Sequence, residues 1–461
     1  MVEEQVPSFP IYVTLPVWGT VLVLVLMQAW RLRDACATFV LLATWLRYSV
    51  ATFHQYTYPP LVLGLSAIAL TSIGVVAIGI LVVGSRNLLL RRLTPIYGLI
   101  LVILLSAIVN QRWIDGVNAT FKWLYLMVFA LAAHSVLQRR GSDAIFRSLA
   151  VIFVGPVVLQ WLSVPWGLTT AKDGTSFFIG GFQHQQSISI ILMTFLFITC
   201  FSPSLSTIVS YGRLVIVAAG VALANYRTSL LASALPASAL IVSRITDNLF
   251  PRQRIIAFLL LGVVAIFVLV GLVTVAHDRF ADLGVVLDKG ASLIKPPGSF
   301  TTEDKRLFSG RLFLWSQYID AYLGADSLTM LVGFGPDSWV GRFSTYAHNT
   351  FISYLYEFGL FGLVGLLWIF VANFMAAARV RGENRLILVS CHVGFIVLNL
   401  STMGIWTLEG ALLYALLLSQ TWRLNSLGRA VSPAVHSSLR SRMKVYGDAS
   451  MQEHQGRFST R

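Results

Sequence analysis

Charged residues are scarce in this chain: Asp, Glu, Lys and Arg make up 12% of its 461 residues, whereas 56% are hydrophobic. So low a charged fraction excludes an ordinary soluble domain, and recurring apolar runs of about 20 residues predict helices that cross a membrane. The net charge of +14 does not indicate nucleic-acid binding, because most arginines lie in short breaks between the apolar runs. The sequence therefore predicts an all-α polytopic membrane protein without a nucleic-acid partner.

The sequence has few cysteines and lacks several familiar nucleotide-binding, metal-binding and catalytic motifs. The three cysteines, Cys36, Cys200 and Cys391, lie in or next to apolar runs, and their spacing predicts neither a disulfide framework nor a metal site. The chain has no Walker loop, no His-Glu-x-x-His motif, no Asp-x-Asp motif and no Gly-x-Ser-x-Gly elbow. No metal and no other cofactor is expected. A transfer reaction on the outer face would then need a donor that is already activated and lipid-linked.

About 12 to 14 membrane spans are predicted from the apolar runs. They cover residues 11–30, 35–53, 61–83, 95–110, 118–137, 145–164, 187–202, 210–225, 229–243, 255–276, 349–371, 386–402 and 405–420. Most arginines fall in alternate breaks, and the positive-inside rule places those breaks in the cytoplasm. The remaining breaks, which include the one long polar interval, are expected to face outward.

Four regions follow from this layout. Residues 1–276 hold the N-terminal spans, 277–348 form a large outer loop, 349–420 hold the C-terminal spans, and 421–461 form a basic tail that is predicted to be disordered. Within the loop, apolar residues recur at helical spacing from Arg311 onward, which predicts a helix lying flat on the outer membrane boundary. These residues are Leu312, Trp315, Ile319, Tyr322 and Leu323.

Two arginines at the outer boundary are candidate anion-binding residues. An arginine at a span end ordinarily reaches lipid headgroups. Arg227, however, stands on the side where arginine is rare, between apolar runs short enough for the backbone to dip into the membrane. Arg311 opens the predicted loop helix, where first-turn amides attract anions. Two guanidinium groups at a membrane boundary suit a diphosphate, because their planar forks match phosphate oxygens.

Several other polar residues lie at or inside predicted spans. His348 precedes a span on the outer side; such a histidine often caps or packs, yet it can accept the proton of a hydroxyl nucleophile. Glu357 lies well inside the following span and needs a partner, for which both an arginine and a structural role are open. His184, which opens the span at 187, is a further candidate. Arg47 and His392 also fall within spans and need a partner or a wet cavity, without an assigned role.

An ordered set of motifs runs through the second half of the chain. Ser-Gly-Arg-Leu-Phe-Leu-Trp at 309–315 is followed by Gly-Phe-Gly-Pro at 333–336, His-Asn at 348–349 and Glu-Phe-Gly-Leu-Phe-Gly at 357–362. As a set they resemble the O-antigen ligase and O-antigen polymerase family, bacterial membrane transferases with a large periplasmic loop. Asn-Tyr-Arg-Thr-Ser at 225–229 is similar to the family's earlier periplasmic arginine segment.

The resemblance implies an inverting, metal-independent glycosyl transfer. Arg227 and Arg311 would hold the diphosphate leaving group, and His348 would act as general base on the acceptor hydroxyl or orient it. Asn349, Glu357 and His184 would support the site. The segment Gly-Phe-Gln-His at 181–184 departs from the family pattern, because Gln185 and Gln186 stand where an asparagine is expected.

The predicted function is transfer of a saccharide from an undecaprenyl-diphosphate-linked donor to a sugar hydroxyl, on the periplasmic side of the bacterial cytoplasmic membrane. The long outer loop favours a polysaccharide or O-antigen polymerase. The alternative is an O-antigen ligase that transfers the glycan to lipid A–core, since both would use the same residues. A transporter or flippase of lipid-linked sugars would show repeat-related halves, which the sequence lacks; an assembly subunit without catalysis is a further alternative. The expected partners are the lipid-linked donor, a glycan or lipid A–core acceptor, the bilayer and a chain-length regulator.

Overall fold

A computed structural model describes residues 8–62, 64–172, 175–250, 252–257, 259, 262 and 288–427. Within these residues nine helices are long and apolar enough to cross a membrane, and Ala67–Val83 and Gln185–Cys200 are shorter apolar helices. The prediction of an all-α polytopic membrane protein is confirmed. Most of the predicted span at 255–276 lies outside the described residues, as do residues 428–461 of the tail at 421–461 that was predicted to be disordered. Residues 421–427 of that tail are helical, so the prediction was wrong for them.

The first half of the chain alternates long helices with short connections. Its helices are α1 (Ile11–Leu32), α2 (Ala35–Thr52), α3 (His54–Thr57), α4 (Ala67–Val83), α5 (Ser85–Leu88), α6 (Thr94–Val109), α7 (Trp113–Arg140), α8 (Ser142–Ala150), α9 (Val154–Ser163), α10 (Gln185–Cys200), α11 (Thr207–Ala224) and α12 (Arg227–Asn248). Two antiparallel hairpins interrupt them, β1–β2 (Pro60–Val62 and Leu65–Ser66) and β3–β4 (Thr170–Lys172 and Thr175–Phe177). Single 3₁₀ turns at Arg91–Leu93 and Val151–Phe153 complete this half.

The second half carries the loop and the last spans. Three 3₁₀ segments, Gly290–Leu293, Pro297–Ser299 and Asp304–Gly310, precede the loop helices α13 (Arg311–Leu323) and α14 (Ser327–Val332). The chain then forms α15 (Thr350–Ala378), α16 (Glu383–Ser401), a 3₁₀ turn at Gly404–Trp406, and α17 (residues 408–427).

Burial separates central helices from peripheral ones. Nearly every side chain of α10, and of α17 from residue 409 to 422, is buried, whereas α1 and α6 bury one face only. A helix that is apolar all round can be stable only where neighbours cover every side, or lipid does. Helices α10 and α17 therefore lie inside the bundle, and α1 and α6 lie at its edge.

The two ends of the bundle differ in character. Residues 288–349 lie at one end, here called the loop end, where the side-chain amide of Asn110, just after α6, donates to the carbonyl of Gly333 at 3.0 Å. At the opposite end, here called the basic end, Arg139 forms a bidentate ion pair with Asp34 at 2.7 and 3.0 Å. Arg244 donates to the carbonyl of Pro203 at 2.9 Å at that same end. The alternation of arginine-rich and arginine-poor breaks is therefore present in the fold.

Two charged or polar side chains inside predicted spans find partners in α17. Arg47 of α2 forms an ion pair with Glu409 at 2.8 Å, and the Glu409 side chain is 1% exposed. Nε2 of His392, in α16, lies 3.0 Å from the hydroxyl of Thr421. Both contacts join α17 to another span, so both residues have a structural explanation.

The break around Arg227 differs from its prediction. Helices α11 and α12 contain 18 and 22 residues, so each is long enough to cross a membrane, and the backbone between them makes a tight turn instead of dipping. Asn225 ends α11 in the left-handed region with φ 52°, which asparagine tolerates better than most residues. The predicted spans were shorter because α11 begins earlier, at Thr207, and α12 continues past residue 243 to Asn248 with the charged residue Arg244 buried in it.

Candidate active site

Helix α13 begins at Arg311, as predicted, and fixes the backbone that leads to His348. Nε1 of Trp315 donates to the carbonyl of Ala347 at 2.7 Å, and the hydroxyl of Tyr318 donates to the carbonyl of Thr345 at 2.9 Å. Tyr318 is 1% exposed, and its ring stacks on the ring of Phe343 with centroids 4.1 Å apart. Helix α13 therefore binds the later part of the same loop and fixes the backbone just before His348.

The face that α13 buries is not the predicted apolar stripe. Leu314 and Tyr318 point into the small loop core, whereas Ile319 is 40% exposed and Leu323 is 63% exposed. The prediction used apolar residues at helical spacing, but aromatic partners later in the loop decide which face is covered. Ile319 and Leu323 form an exposed apolar edge, which suits the expected position at the membrane boundary.

His348 is held in a strained backbone conformation between two fixed neighbours. Its φ of 51° lies in the left-handed region, which costs on the order of 1–3 kcal/mol for a non-glycine residue. On its other side Asn349 caps α15, accepting from two first-turn amides at 2.9 and 3.1 Å and donating to the carbonyl of Leu400 at 2.8 Å. The supporting role predicted for Asn349 thus corresponds to a definite geometry, since this cap fixes where His348 points.

Tyr346 lies between His348 and Arg311. The ring of half-buried His348 packs on Tyr346 with centroids 4.1 Å apart. Burial raises the pKa of Tyr346, and the nearby positive charge of Arg311 opposes that shift. The structure therefore brings the candidate base and one candidate diphosphate residue to a single site.

Hydroxyl groups lie around the guanidinium of Arg311. Its Nη1 donates to the hydroxyl of Ser401 at 2.8 Å, and its charge lies near the phenol of Tyr226. Among the residues that the structure describes, no carboxylate forms an ion pair with Arg311. Since neutral partners leave the positive charge uncompensated, this guanidinium is suited to an anionic ligand.

The backbone before Arg311 is shaped to aim it. Phe308, Ser309 and Gly310 have φ values of 49°, 56° and 82°, so three successive residues adopt left-handed conformations. Such strain persists only where surrounding contacts enforce it, and it clusters at functional sites. The bend turns the chain from the preceding 3₁₀ segment into α13 and sets the first residue of α13 beside Ser401.

A buried carboxylate ties down the loop ahead of this bend. The side chain of Asp304 bridges the ammonium groups of Lys289 and Lys295, each at 2.6 Å. Its hydrogen bonds to Lys289 and then to Lys295 hold the pKa of this carboxyl well below its ordinary value of 3.8. These two contacts cross-link the 288–310 segment, which leads directly into Arg311.

Arg227 is the first residue of α12 and is exposed at the loop end. The residue before it, Tyr226, is 7% exposed, and its phenol lies near Arg311 and Thr402. Burial raises the pKa of Tyr226, and the charge of Arg311 opposes the shift. The start of α12 is therefore joined to Arg311 through one side chain, which places both predicted arginines at the same end and around the same contact.

Glu357 has structural partners and no arginine. It is 1% exposed, accepts a hydrogen bond from the hydroxyl of Ser353, and accepts another from the backbone amide of Asp337 at 2.8 Å. Its main-chain carbonyl accepts from the amide of Gly335 at 2.9 Å. Within the described residues Glu357 is in no ion pair with an arginine, so its role is to hold the Gly-Phe-Gly-Pro turn.

His184 lies at the start of another helix at the loop end. It is the exposed N-cap residue of α10, which packs on α11 and α12. Just before it, the amide of Phe178 donates to the carbonyl of Leu223, near the end of α11, at 3.0 Å. His184 therefore shares the loop end with the arginines, although the contacts that define the site run through Tyr226, Tyr346 and Ser401.

Sequence reasoning missed those three hydroxyl-bearing residues. Tyr226 lies next to Arg227, and Tyr346 lies two positions before His348. Both could therefore have been identified as members of those two segments. Ser401 ends α16, far from the motifs in sequence. A neutral serine at a span end has no sequence signal, so only the fold reveals it.

The arrangement brings two arginines and a histidine together at one end of a multi-pass helical membrane protein. Residues 213–367, which run from α11 into α15, match the family model of O-antigen ligase. This match confirms the resemblance to the O-antigen ligase and O-antigen polymerase family, and the matched stretch contains Arg227, Arg311 and His348. Comparison with curated proteins gave no match. The match supports an O-antigen ligase/polymerase-type membrane enzyme, a glycosyltransferase-like enzyme of O-antigen assembly.

Proposed function

We propose that the protein transfers a saccharide from an undecaprenyl-diphosphate-linked donor to a sugar hydroxyl, without a metal and with inversion at the anomeric carbon. The reaction takes place at the loop end, which faces the periplasm of a bacterial cytoplasmic membrane. One observation supports this most directly: Arg311, whose guanidinium donates to the hydroxyl of Ser401, lies near Tyr346, and the ring of His348 packs on Tyr346. A charge for the leaving group and a base for the nucleophile therefore lie together.

The proposed step moves one proton and exchanges one bond. The acceptor hydroxyl loses its proton to the imidazole of His348, and its oxygen attacks the anomeric carbon from the side opposite the diphosphate. The bond from that carbon to the diphosphate oxygen breaks, and the electron pair leaves with the diphosphate. A single displacement of this kind inverts the anomeric configuration.

The arginines carry the charge that develops on the leaving group. Arg311 presents its guanidinium from the start of α13, and Arg227 opens α12 one residue beyond the Tyr226 contact. Fixed donors aimed at developing charge are worth more than mobile water, because they do not reorganise during the reaction. Their placement at the starts of two helices that meet near Tyr226 supports a two-pronged clamp for the diphosphate.

Two acceptors remain for this chemistry, and both use the same residues. The long loop favours a polymerase, which extends another lipid-linked glycan. The description of the matched family model, O-antigen ligase, favours transfer to lipid A–core as the second candidate. A chain-length regulator is a further proposed partner of the polymerase form.

The test is a reconstitution of the full chain in lipid nanodiscs with an undecaprenyl-diphosphate-linked repeat unit, read by the size of the lipid-linked product. A ladder of longer glycans is expected. Product that forms only after lipid A–core is added would assign the ligase instead. No turnover with either acceptor, by protein that is folded and correctly inserted, would refute the transferase and favour transport or assembly.

A further inference from the structure

A cleft of about 530 Å³ opens at the basic end of the bundle, at the opposite end from the candidate active site. It lies between the start of α6 and the last turns of α15 and α17. Three arginines line it, Arg91, Arg92 and Arg379, and its walls include Trp368 and Trp422. None of the lining residues is acidic, so the cleft is a concentrated positive site among the described residues.

One of these arginines is preorganised. Nη1 of Arg92 donates to Nε2 of His134 at 2.9 Å, which leaves Nδ1–H of that ring to donate to the carbonyl of Ser419 at 3.3 Å. The guanidinium also lies over the ring of Trp422, 5.5 Å from its centroid. A guanidinium fixed by a ring and a hydrogen bond loses less conformational entropy when it binds an anion.

The aromatic wall is equally rigid. Nε1 of Trp422 donates to the side-chain oxygen of Asn373 at 2.8 Å, and the side-chain amide of Asn373 donates to the carbonyl of Ile369 at 2.8 Å. Trp422 is 6% exposed, so this wall is set by internal packing. The cleft is therefore built into three helices and does not depend on a mobile surface loop.

The other two arginines differ from several neighbours at the same end. Arg139 is paired with Asp34, and Arg244 donates to two backbone carbonyls, so their charge is used within the fold. In the part of the chain that the structure describes, the guanidinium groups of Arg91 and Arg379 have no ion pair and no hydrogen bond to the protein. Their charge is available to a ligand, and several guanidinium groups that line one cleft suit a phosphate group.

The surroundings select a lipid as the source of that phosphate. Trp368, at the edge of the cleft, is 49% exposed, and an exposed apolar stripe on α15 and α6 runs beside the cleft and past Trp368 toward the middle of the bundle. The stripe consists of Val364, Leu367, Val371 and Met375 on α15 and Leu101, Leu104 and Leu105 on α6. An interfacial tryptophan beside a basic pocket between spans is the arrangement that binds anionic headgroups. The ends of α15 and α17 oppose an anion by their dipoles, so the arginines must supply the attraction.

We propose that this cleft binds the phosphate headgroup of an anionic phospholipid from the leaflet at the basic end, with its acyl chains along the apolar stripe. The site is separate from the proposed transfer reaction and would hold whether or not that reaction is assigned correctly. It gives the enzyme a preference for anionic membranes that its substrate chemistry does not require.

Native mass spectrometry of the full chain, titrated with phosphatidylglycerol or phosphatidylcholine of the same acyl chains, tests the proposal. The wild-type protein should retain phosphatidylglycerol preferentially. The double variant Arg91→Gln, Arg379→Gln should lose about 25-fold of that preference, at about fivefold per arginine near an anionic headgroup. Each single variant should lose about fivefold, which keeps the test valid if the double variant folds poorly.

The matched control is Arg86→Gln with Arg381→Gln, a pair of exposed arginines near the same end that do not line the cleft. This pair changes the net charge equally and should keep the preference. Equal loss in both pairs, or no loss in the cleft pair, would overturn the site. Excess inorganic phosphate should fail to displace the bound lipid. If phosphate does displace the lipid, the cleft is a simple anion site and the lipid assignment is overturned.

Discussion

Replacing Arg311 by glutamine separates the charge of this residue from its structural contacts. The change removes the charged hydrogen bond to Ser401, worth about 1–3 kcal/mol of folding free energy, and takes the positive charge away from the phenol of Tyr226. If the guanidinium also stabilises the departing diphosphate, its loss should raise the barrier by about 2–4 kcal/mol, or roughly 30- to 1,000-fold in rate. The first effect reduces the amount of folded enzyme, whereas the second remains when the rate is expressed per folded molecule.

The comparison variant is Tyr226→Phe, which removes a partner of Arg311 but keeps the guanidinium. Transfer is measured in nanodiscs from a labelled lipid-linked donor, and folded enzyme is quantified by size-exclusion chromatography. Tyr226→Phe should lose stability yet keep its rate within about tenfold, because one net hydrogen bond is worth about 1 kcal/mol. Exposed Arg306 of the same loop, changed to glutamine, controls for net charge. Equal rate losses in Arg311→Gln and Tyr226→Phe would refute the charge argument and leave positioning as the role of Arg311.

Three further changes test the base, a buried ion pair and a backbone junction. His348→Ala should lower transfer by about 10²- to 10⁴-fold at unchanged expression, and wild-type-like transfer would remove it as the base. Arg47→Met strands buried Glu409 and should cost about 3–5 kcal/mol, seen as a lower melting temperature. Adding Glu409→Leu should restore most of that loss, and an unchanged melting temperature in the single variant would contradict the pairing. Gly359→Ala places a Cβ 2.4 Å from a backbone carbonyl at φ 66° and should destabilise the fold, whereas Gly212→Ala, with open space around it, should not.

Most helices could be predicted from the sequence because the signal is local. An apolar run of sufficient length has one low-energy conformation in lipid, and its ends are marked by arginines, glycines and prolines. The ends of the helices were less predictable where they depend on contacts beyond the apolar run itself. The span expected at 61–83 instead begins with the hairpin Pro60–Val62 and Leu65–Ser66, and α4 starts at Ala67. The last span, predicted to end at 420, continues to 427.

The candidate site was predictable in its charged members and not in its neutral ones. An arginine or histidine near a membrane is conspicuous, since its presence there demands a reason. Tyr226 and Ser401 are not conspicuous, yet Tyr226 lies between the start of α12 and Arg311, and Ser401 accepts a hydrogen bond from the guanidinium. Their role follows from the meeting of two helix ends that are far apart in sequence, and such a meeting leaves no periodic trace.

The glycine motifs show how a sequence pattern can be informative before its reason is known. Gly333 and Gly359 lie in different motifs, and a Cβ on Gly333 would meet the backbone of Glu357 at 2.3 Å. The amides of Phe334 and Gly335 donate to the carbonyls of Tyr356 and Glu357 at 3.0 and 2.9 Å. The Gly-Phe-Gly-Pro turn and the Glu-Phe-Gly segment are therefore two halves of one backbone junction, made at a kink in α15. Because α15 starts immediately after His348, this junction sets the imidazole relative to the loop that carries the arginine, and the two motifs are needed together.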